Sequence, residues 1–493
     1  MIVRTLAELA AQAGTAPPGE GADPALLVGP DIAIDSRAVT PGSLFVALPG
    51  EHVDGHAYVA AAGAAGAVAA LVAHRVDAPD GPVQLVADPD TGGPVAALGR
   101  LASVSVAALP ALQVVGITGS SGKTSVKDLL QQVLAATGPT VAPVGSFNNE
   151  IGLPLTALRA DAATRFLVLE MGARGLGHIG YLCSLVQPQI AVVLNVGQAH
   201  LGEFGTPEVT ARAKGELVEA LGRGEAAQRR AAVLNADDPL VRGMAERSDA
   251  PVTWFARDSD PGGDMALWAE GVAADDLGRC GFDLLVRRGT ASAQRHAVRL
   301  QLVGRHHVAN ALAAAATAVT LGLDGDQVAS ALTAAVARSH WRMEVSRLGS
   351  GIVMINDAYN ANPESMLAAL ETVAWMAEHR SGGRIVAVFG DMLELGARAQ
   401  SAHRELGEQV ARHGVARLVV AGEYADDVIA GALDVGMSAA AMTRVADTAA
   451  TLDLLPGLLE PGDLVLVKAS RSIHFEHVAA RLTELLPVAG APR

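Results

Sequence analysis

The chain reads as an α/β protein of three domains, and three observations predict it. Short apolar strands alternate with helical stretches along nearly its whole length, the pattern of mostly parallel sheets covered by helices. One strand runs straight into a glycine turn and then a helix, as phosphate-binding α/β folds do. The length, 493 residues, exceeds what one ordinary core occupies.

The first domain, residues 1–110, mixes predicted strands at Asp31–Ile34, Ser43–Ala47 and Val83–Val86 with alanine-rich helices, and is a small α/β unit. It opens on Met1–Gly14, where Arg4 and Glu8 among alanines and leucines predict an amphipathic helix and not a signal peptide. The uncharged run Ala57–Ala73 suggests a membrane span by length, but Gly63 and Gly66 interrupt it. Helix, turn and a short strand, Ala67–Ala73, fit it better, so no membrane span is expected.

The second domain, residues 111–337, begins with the strand Gln113–Ile117, the glycine turn and the helix Thr124–Ala136. Strands at Phe166–Glu170 and Ile190–Asn195 follow, giving a central, mostly parallel sheet of the P-loop type with flanking helices. The stretch Ala256–Gly289 is polar and glycine-rich; alternating sequence at Ala297–Val303 and an alanine helix, Val308–Leu321, come after it. The third domain, residues 338–493, alternates strands (Ile352–Asn356, Arg384–Phe389, Arg417–Ala421, Leu464–Val467) with helices in a doubly wound, dinucleotide-fold-like pattern. No GxGxxG stands at its first turn, which argues against a free-standing NAD site there.

Composition narrows the function. A net charge of -15 argues against a general nucleic-acid binder, whose phosphate contacts need a basic face, but not against a nucleotide held in a local cradle. Cys183 and Cys280 are the only cysteines and make no CxxC or metal spacing, as in a reduced cytoplasmic protein. Lys123, Lys127, Lys214 and Lys468 are the full set of lysines in a chain rich in arginine. A position that accepts either cation would carry Arg here, so each remaining lysine is informative.

The strongest chemical signal is Thr118-Gly119-Ser120-Ser121-Gly122-Lys123-Thr124-Ser125 between strand and helix. Glycines let the backbone wrap a polyphosphate and aim NH groups at it; Lys123 can neutralise phosphate charge, and the Thr124 hydroxyl can ligate Mg²⁺. The general P-loop spacing wants Gly at 117, where this chain has Ile117, so the match is to the GKT half.

TGSSGKTS resembles the TGxxGKT loop of the Mur ligases and folylpolyglutamate synthetases, which use ATP to join an amine to a carboxylate. The rest of the chain resembles the Mur ligases over nearly its whole length. Asp35-Ser36-Arg37, with Gly42–Ala47 and Asp54-Gly55-His56, is similar to the family's UDP-sugar domain and implies Ser36 and Arg37 as substrate contacts. Phe147-Asn148-Asn149-Glu150-Ile151-Gly152-Leu153-Pro154 resembles the NNxIGxP segment, implying Asn148 and Asn149 on the substrate. Glu170 at a strand end beside the phosphate loop suits a Mg²⁺ ligand. By resemblance, His200 is a second metal ligand and Lys214 a third, carbamylated so that a cation becomes a carboxylate; both are implied catalytic residues with Lys123.

Gly304-Arg305-His306-His307-Val308-Ala309-Asn310 resembles the adenine-contacting GxHNxxN segment, with Asn310 intact and His307 where Asn is usual. Arg342 resembles the arginine that reaches the ATP phosphates, and Asp357 the carboxylate expected on the ribose. Asn360 and Asn362 fall where the incoming amine is expected. Gly390–Gly396 with His403, and Lys468, Ser470 and Arg471 in Lys468-Ala469-Ser470-Arg471-Ser472, complete the third-domain pattern and imply substrate contacts.

The resemblance implies an ATP- and Mg²⁺-dependent ligation of D-alanyl-D-alanine to UDP-N-acetylmuramoyl-tripeptide through an acyl phosphate. That is cytoplasmic cell-wall precursor synthesis, on which cell shape and division depend, by an enzyme expected to be monomeric. It divides the domains into UDP-sugar binding (1–110), ATP binding (111–337), and amine binding with closure on ATP (338–493). Two alternatives share parts of the pattern. A sister ligase adding diaminopimelate, lysine or glutamate has the same chemistry, but the NNEIG and NANP segments count against it. A non-catalytic, ATP-gated P-loop module would explain the loop alone.

Overall fold

The computed structural model describes residues 1–19, 21–50, 53–197, 205–222, 230–380 and 383–487. Three sheets organise the chain. Residues 32–86 form a four-stranded parallel sheet in sequence order, Ile32–Ala33, Leu44–Val46, Ala69–Val72 and Val83–Val86. The central sheet has nine strands. It runs parallel from Thr140–Val141 through Phe166–Glu170, Gln113–Thr118, Ile190–Val193, Ala231–Asn235 and Val252–Ala256 to Met265–Ala274. Two antiparallel strands, Arg279–Arg288 and Gln294–Val303, close its far edge. The third sheet has six strands, parallel apart from its edge strand Glu344–Arg347.

Strand periodicity builds the cores. In the central sheet Val114, Leu167, Leu169, Ala191 and Val193 face one apolar cluster, while Val115, Ile117, Phe166, Val168, Ile190 and Val192 face another. Successive side chains point to opposite faces, so each apolar run is buried on both. The helices Lys123–Ala135 and His306–Thr320 cover one face, and Gly93–Ala107, His178–Leu185 and Pro207–Glu219 cover the other. The first cluster continues into the N-terminal lobe through Leu6, Leu9, Leu44 and Leu71, so the two share one core. The six-stranded sheet is sandwiched between its own two clusters.

Most elements lie within a residue or two of their expected positions, and the differences have physical reasons. Met1–Gly14 is helical only over Leu6–Ala13: Thr5 caps the helix in a capping box with Glu8, and Arg4–Thr5 pairs with Leu27–Val28 instead. The polar stretch Ala256–Gly289 contains two ten-residue strands, Met265–Ala274 and Arg279–Arg288. They lie just inside the edge strand Gln294–Val303; the second half of Met265–Ala274 is largely unburied, Arg279–Arg288 mixes buried with half-buried positions, and Gly271 and Gly281 dilute the alternation. Glu344–Arg347 and Met442–Val445 are edge strands of the third sheet, too polar to stand out as apolar runs.

Candidate active site

The strand order puts the phosphate loop at a switch point. Gln113–Thr118 lies between Phe166–Glu170 and Ile190–Val193, so the chain leaves it into a crevice beyond the carboxyl ends of its neighbours. The loop is fastened to the next strand end. Ser121 N donates to Asn195 Oδ1 (2.9 Å), Ser120 N to Asn195 O (3.1 Å) and Gly197 N to Ser120 Oγ (2.8 Å). Gly122 is obligatory: its φ is +82°, and a Cβ there would lie 2.6 Å from Asn310 Oδ1. Lys123 opens the helix Lys123–Ala135 and folds back so that Nζ donates to Gly119 O at 2.6 Å. Burial pushes its pKa down, Glu170 pulls it up and Arg342 lowers it further.

Glu170 is fully buried at the end of its strand, in register with Ile117. Its Oε1 accepts from Thr124 Oγ1 and Ser146 Oγ, both at 3.2 Å, while Oε2 is buried with no hydrogen-bond partner among the described residues. A buried, half-satisfied carboxylate beside a hydroxyl and a phosphate loop has the donor chemistry of a hard divalent cation. Lys214, on the helix Pro207–Glu219, is 3% exposed. Burial, and then the charge of Lys123, push its pKa well below the ordinary lysine range. His200 lies outside the described residues.

The third lobe completes the crevice. Arg342 Nη2 donates to Thr124 Oγ1 at 2.9 Å, and its guanidinium stacks 4.1 Å from the Tyr359 ring. Asp357 and Lys468 leave the carboxyl ends of adjacent strands, one residue past the Asn356–Val467 pair, and form a buried ion pair. Lys468 also donates to Asn360 O (2.9 Å), and Asp357 Oδ1 accepts from Met343 N (3.0 Å). Asn310 Nδ2 lies 3.3 Å from His307 Nδ1, and the His306 and His307 rings pack 4.2 Å apart. Burial lowers the pKa of both imidazoles, that of His306 to about 4.

A cavity of about 950 Å³ runs between the lobes. Of the residues expected at the site, it gathers Ser120 to Ser125, Asn148, Glu170, Asn310, Arg342, Asp357, Asn360, Asn362, Lys468 and Arg471. A neighbouring cavity of about 350 Å³ shares Asn360, Asn362 and Arg471 and adds Ser470. Thr118, Gly119 and Lys214 are not among the lining residues of the larger one. Some expected contacts have structural work instead. Asn362 caps the helix Pro363–His379, Asn149 Oδ1 accepts from Gly152 N (2.9 Å), and Ser470 Oγ accepts from Leu393 N (2.9 Å). His403 accepts from Met392 N and contacts Ala399 O inside the third core. Ser36 and Arg37 lie on the N-terminal lobe, with Arg37 exposed and paired to Asp35.

Several lining residues carried no motif: Ser146, Asn235, Asp237, Asp238 and Arg257; Tyr359 stood in the Asn356–Pro363 segment without a role of its own. Asp238 is the most informative, since Oδ1 caps the helix Pro239–Arg242 while Oδ2 accepts from Val196 N at 2.7 Å beside the loop. Its Asn-x-Asp-Asp-Pro setting, just past an apolar strand, was the available signal.

Comparison with known proteins agrees with this layout. Residues 31–103 match the family described as Mur ligase family, catalytic domain; residues 117–318 match Mur ligase middle domain, and residues 341–471 match Mur ligase, glutamate ligase domain. The chain is 45% identical to the UDP-N-acetylmuramoyl-tripeptide–D-alanyl-D-alanine ligase of Mycobacterium tuberculosis, covering 92% of this chain and 91% of that one. A crystal structure of MurF from Acinetobacter baumannii superposes with a TM-score of 0.82 at 29% identity, covering 98% and 99% of the two chains. MurF ligase from Thermotoga maritima in complex with ADP gives 0.72 at 28%, covering 92% and 97%.

Proposed function

The chain belongs to the Mur ligase family, and from that premise we propose that it joins D-alanyl-D-alanine to UDP-N-acetylmuramoyl-tripeptide with ATP, in peptidoglycan precursor synthesis. The observation that carries the reading is the bridge from Arg342, on the third lobe, to Thr124 in the phosphate loop, beside Glu170. It brings two cations and a half-satisfied carboxylate to one crevice, the charges a phosphoryl transfer needs.

An unactivated carboxylate does not accept an amine. The tripeptide's terminal carboxylate oxygen therefore attacks the γ-phosphorus of ATP, and ADP leaves. The amine of D-alanyl-D-alanine then attacks the acyl carbon of the resulting acyl phosphate; the C–O bond to phosphate breaks and the nitrogen gives up a proton. Lys123, Arg342 and the loop amides offset negative charge building on the phosphoryl oxygens. Glu170, Thr124 and a carbamylated Lys214, with His200, would hold Mg²⁺, which supplies further charge neutralisation at the phosphates. The buried surroundings of Lys214 favour that modification, because burial shifts the amine towards its neutral form, the form that adds CO₂. Asn310, with His307 behind it, borders the nucleotide, and Asp357, held by Lys468, faces its ribose. Residues 1–110 take the UDP-sugar end, 111–337 the ATP, and 338–493 the dipeptide.

A sister ligase specific for diaminopimelate, lysine or glutamate has the same fold. The 45% identical relative is named for D-alanyl-D-alanine, which favours the reading given. The test is phosphate release with UDP-muramoyl-tripeptide, offering each amine separately. Turnover with D-alanyl-D-alanine alone is expected; turnover with one of the others in its place would assign the chain to the sister reaction.

A further inference from the structure

A second site lies where the chain enters its last helix, Glu476–Leu485. His474, Glu476 and His477 bring one ligand atom each to within 4.8 Å of one another, the one such grouping of three among the described residues. The two imidazoles are exposed, whereas Glu476 is 6% exposed. Its Oε1 accepts from Arg471 and lies 3.5 Å from His474 Nδ1, while its Oε2 is buried with no hydrogen-bond partner among the described residues. A buried carboxylate that has one oxygen with nothing to accept from, and that groups with two exposed histidines, needs an explanation.

We propose that His474, Glu476 and His477 form a binding site for a borderline divalent transition metal of the zinc class, and that the metal regulates the ligase through Arg471. The donor set is two imidazole nitrogens and one carboxylate oxygen, which such ions prefer and Mg²⁺ does not. His474 and His477 stand three residues apart. Their ligand atoms and that of Glu476 already lie within 4.8 Å of one another, and the exposed rings can turn so that all three face one ion at bonding distances of about 2 Å. His474 occupies a left-handed backbone conformation, φ +60°, at the end of the short turn Arg471–Ile473.

The link to the active site is Glu476. It holds Arg471, whose guanidinium also stacks 4.3 Å from the Trp341 ring and lines both cavities between the lobes. A dication on Glu476 competes with Arg471 for the same carboxylate and repels it. Arg471 is then released from its anchor and the third-lobe wall of the cleft loses a fixed cation. Metal binding at this site therefore weakens ligation. The consequence for activity rests on the placement of Arg471 at the substrate cleft; the metal site itself does not.

The experiment titrates Co²⁺ into the full-length protein with Mg²⁺ in large excess, following visible absorption, and then displaces it with Zn²⁺. One equivalent is expected to bind with the intense bands of a low-coordinate nitrogen–oxygen site. His477→Ala, a change at an exposed side chain, should weaken Co²⁺ affinity by roughly tenfold or more. It should leave metal-free ligation unchanged and abolish Zn²⁺ inhibition. Identical titrations for wild type and His477→Ala, or no Co²⁺ bound beyond the Mg²⁺-competed sites, would overturn the site. Loss of binding in His477→Ala with no Zn²⁺ inhibition in wild type would keep the site and overturn its link to Arg471.

Discussion

At the scale of single residues, a candidate was legible wherever a residue type unusual for its place stood at a strand end, at a helix start or, for lysine, anywhere in this arginine-rich chain. Lys123, Glu170 and Lys214 could be singled out because each is the wrong residue for a bland position. A P-loop turn needs glycines beside its lysine, a buried strand rarely ends in Glu, and this chain uses Arg for routine charge. Asp237, Asp238 and Arg257 could not be, because only the packing of separate strands carries them to the cavity. Lys214 gives the sharpest residue-level prediction. Lys214→Ala should be nearly inactive and partly rescued by acetate, which can restore the missing carboxylate. Lys214→Arg should not be rescued, since it stays positive and cannot form the carbamate. Full activity in Lys214→Arg would remove the carbamate from the account.

His306 gives a prediction in pH. Its folded pKa of about 4 lies below the ordinary value of 6.5, so between those values the unfolded chain binds a proton that the folded protein refuses. Stability therefore falls as pH drops from 6.5 to 4 and loses nothing further to this group below that. In His306→Asn that component is absent. The melting temperature of the variant should gain on wild type as pH falls through this window, and a constant gap would contradict the assignment.

At the scale of elements, apolar strands flanked by helices were readable because both faces are buried, which leaves an uninterrupted apolar run. Met265–Ala274 and Arg279–Arg288 were not, since polar residues and glycines break up their apolar runs, whereas most of Gln294–Val303 was readable from its alternation of exposed and buried positions. The phosphate-loop helix Lys123–Ala135 does more than present Lys123. Gln132 exchanges two hydrogen bonds with the backbone of Val336 (2.9 and 3.1 Å), and Asp128 accepts from Ser339 Oγ at 2.6 Å. Those partners lie on the connection to the third lobe, so the helix is tied to the hinge. Asp128 also neutralises the buried Lys127. Ser339→Ala should cost about 1 kcal/mol in urea unfolding. Asp128→Ala, which strands the lysine, should cost about 3–5 kcal/mol. Equal effects would mean that the ion pair is not what Asp128 contributes.

At the scale of the whole molecule, the N-terminal lobe and central sheet share one apolar cluster, while the cores on both faces of the third lobe's sheet take only Val303 from the central lobe. The third lobe is accordingly the part expected to move, about the connection near residues 336–340. Arg342 already reaches Thr124, and nucleotide phosphates would add further contacts across the same crevice. Binding of an ATP analogue with UDP-muramoyl-tripeptide should lower the radius of gyration in solution scattering and exclude water from the acyl phosphate. Superimposable curves with and without ligands would contradict closure.

The central claim is that the cleft transfers phosphate to the tripeptide's terminal carboxylate before the amide forms. The most direct measurement follows oxygen. UDP-muramoyl-tripeptide labelled with ¹⁸O in that carboxylate is incubated with ATP and D-alanyl-D-alanine, and the phosphate and peptide products are weighed by mass spectrometry. The account predicts one ¹⁸O in each phosphate released, alongside the pentapeptide. Unlabelled phosphate, with no pentapeptide formed, would mean that the chain hydrolyses ATP without activating a carboxylate, and would contradict it.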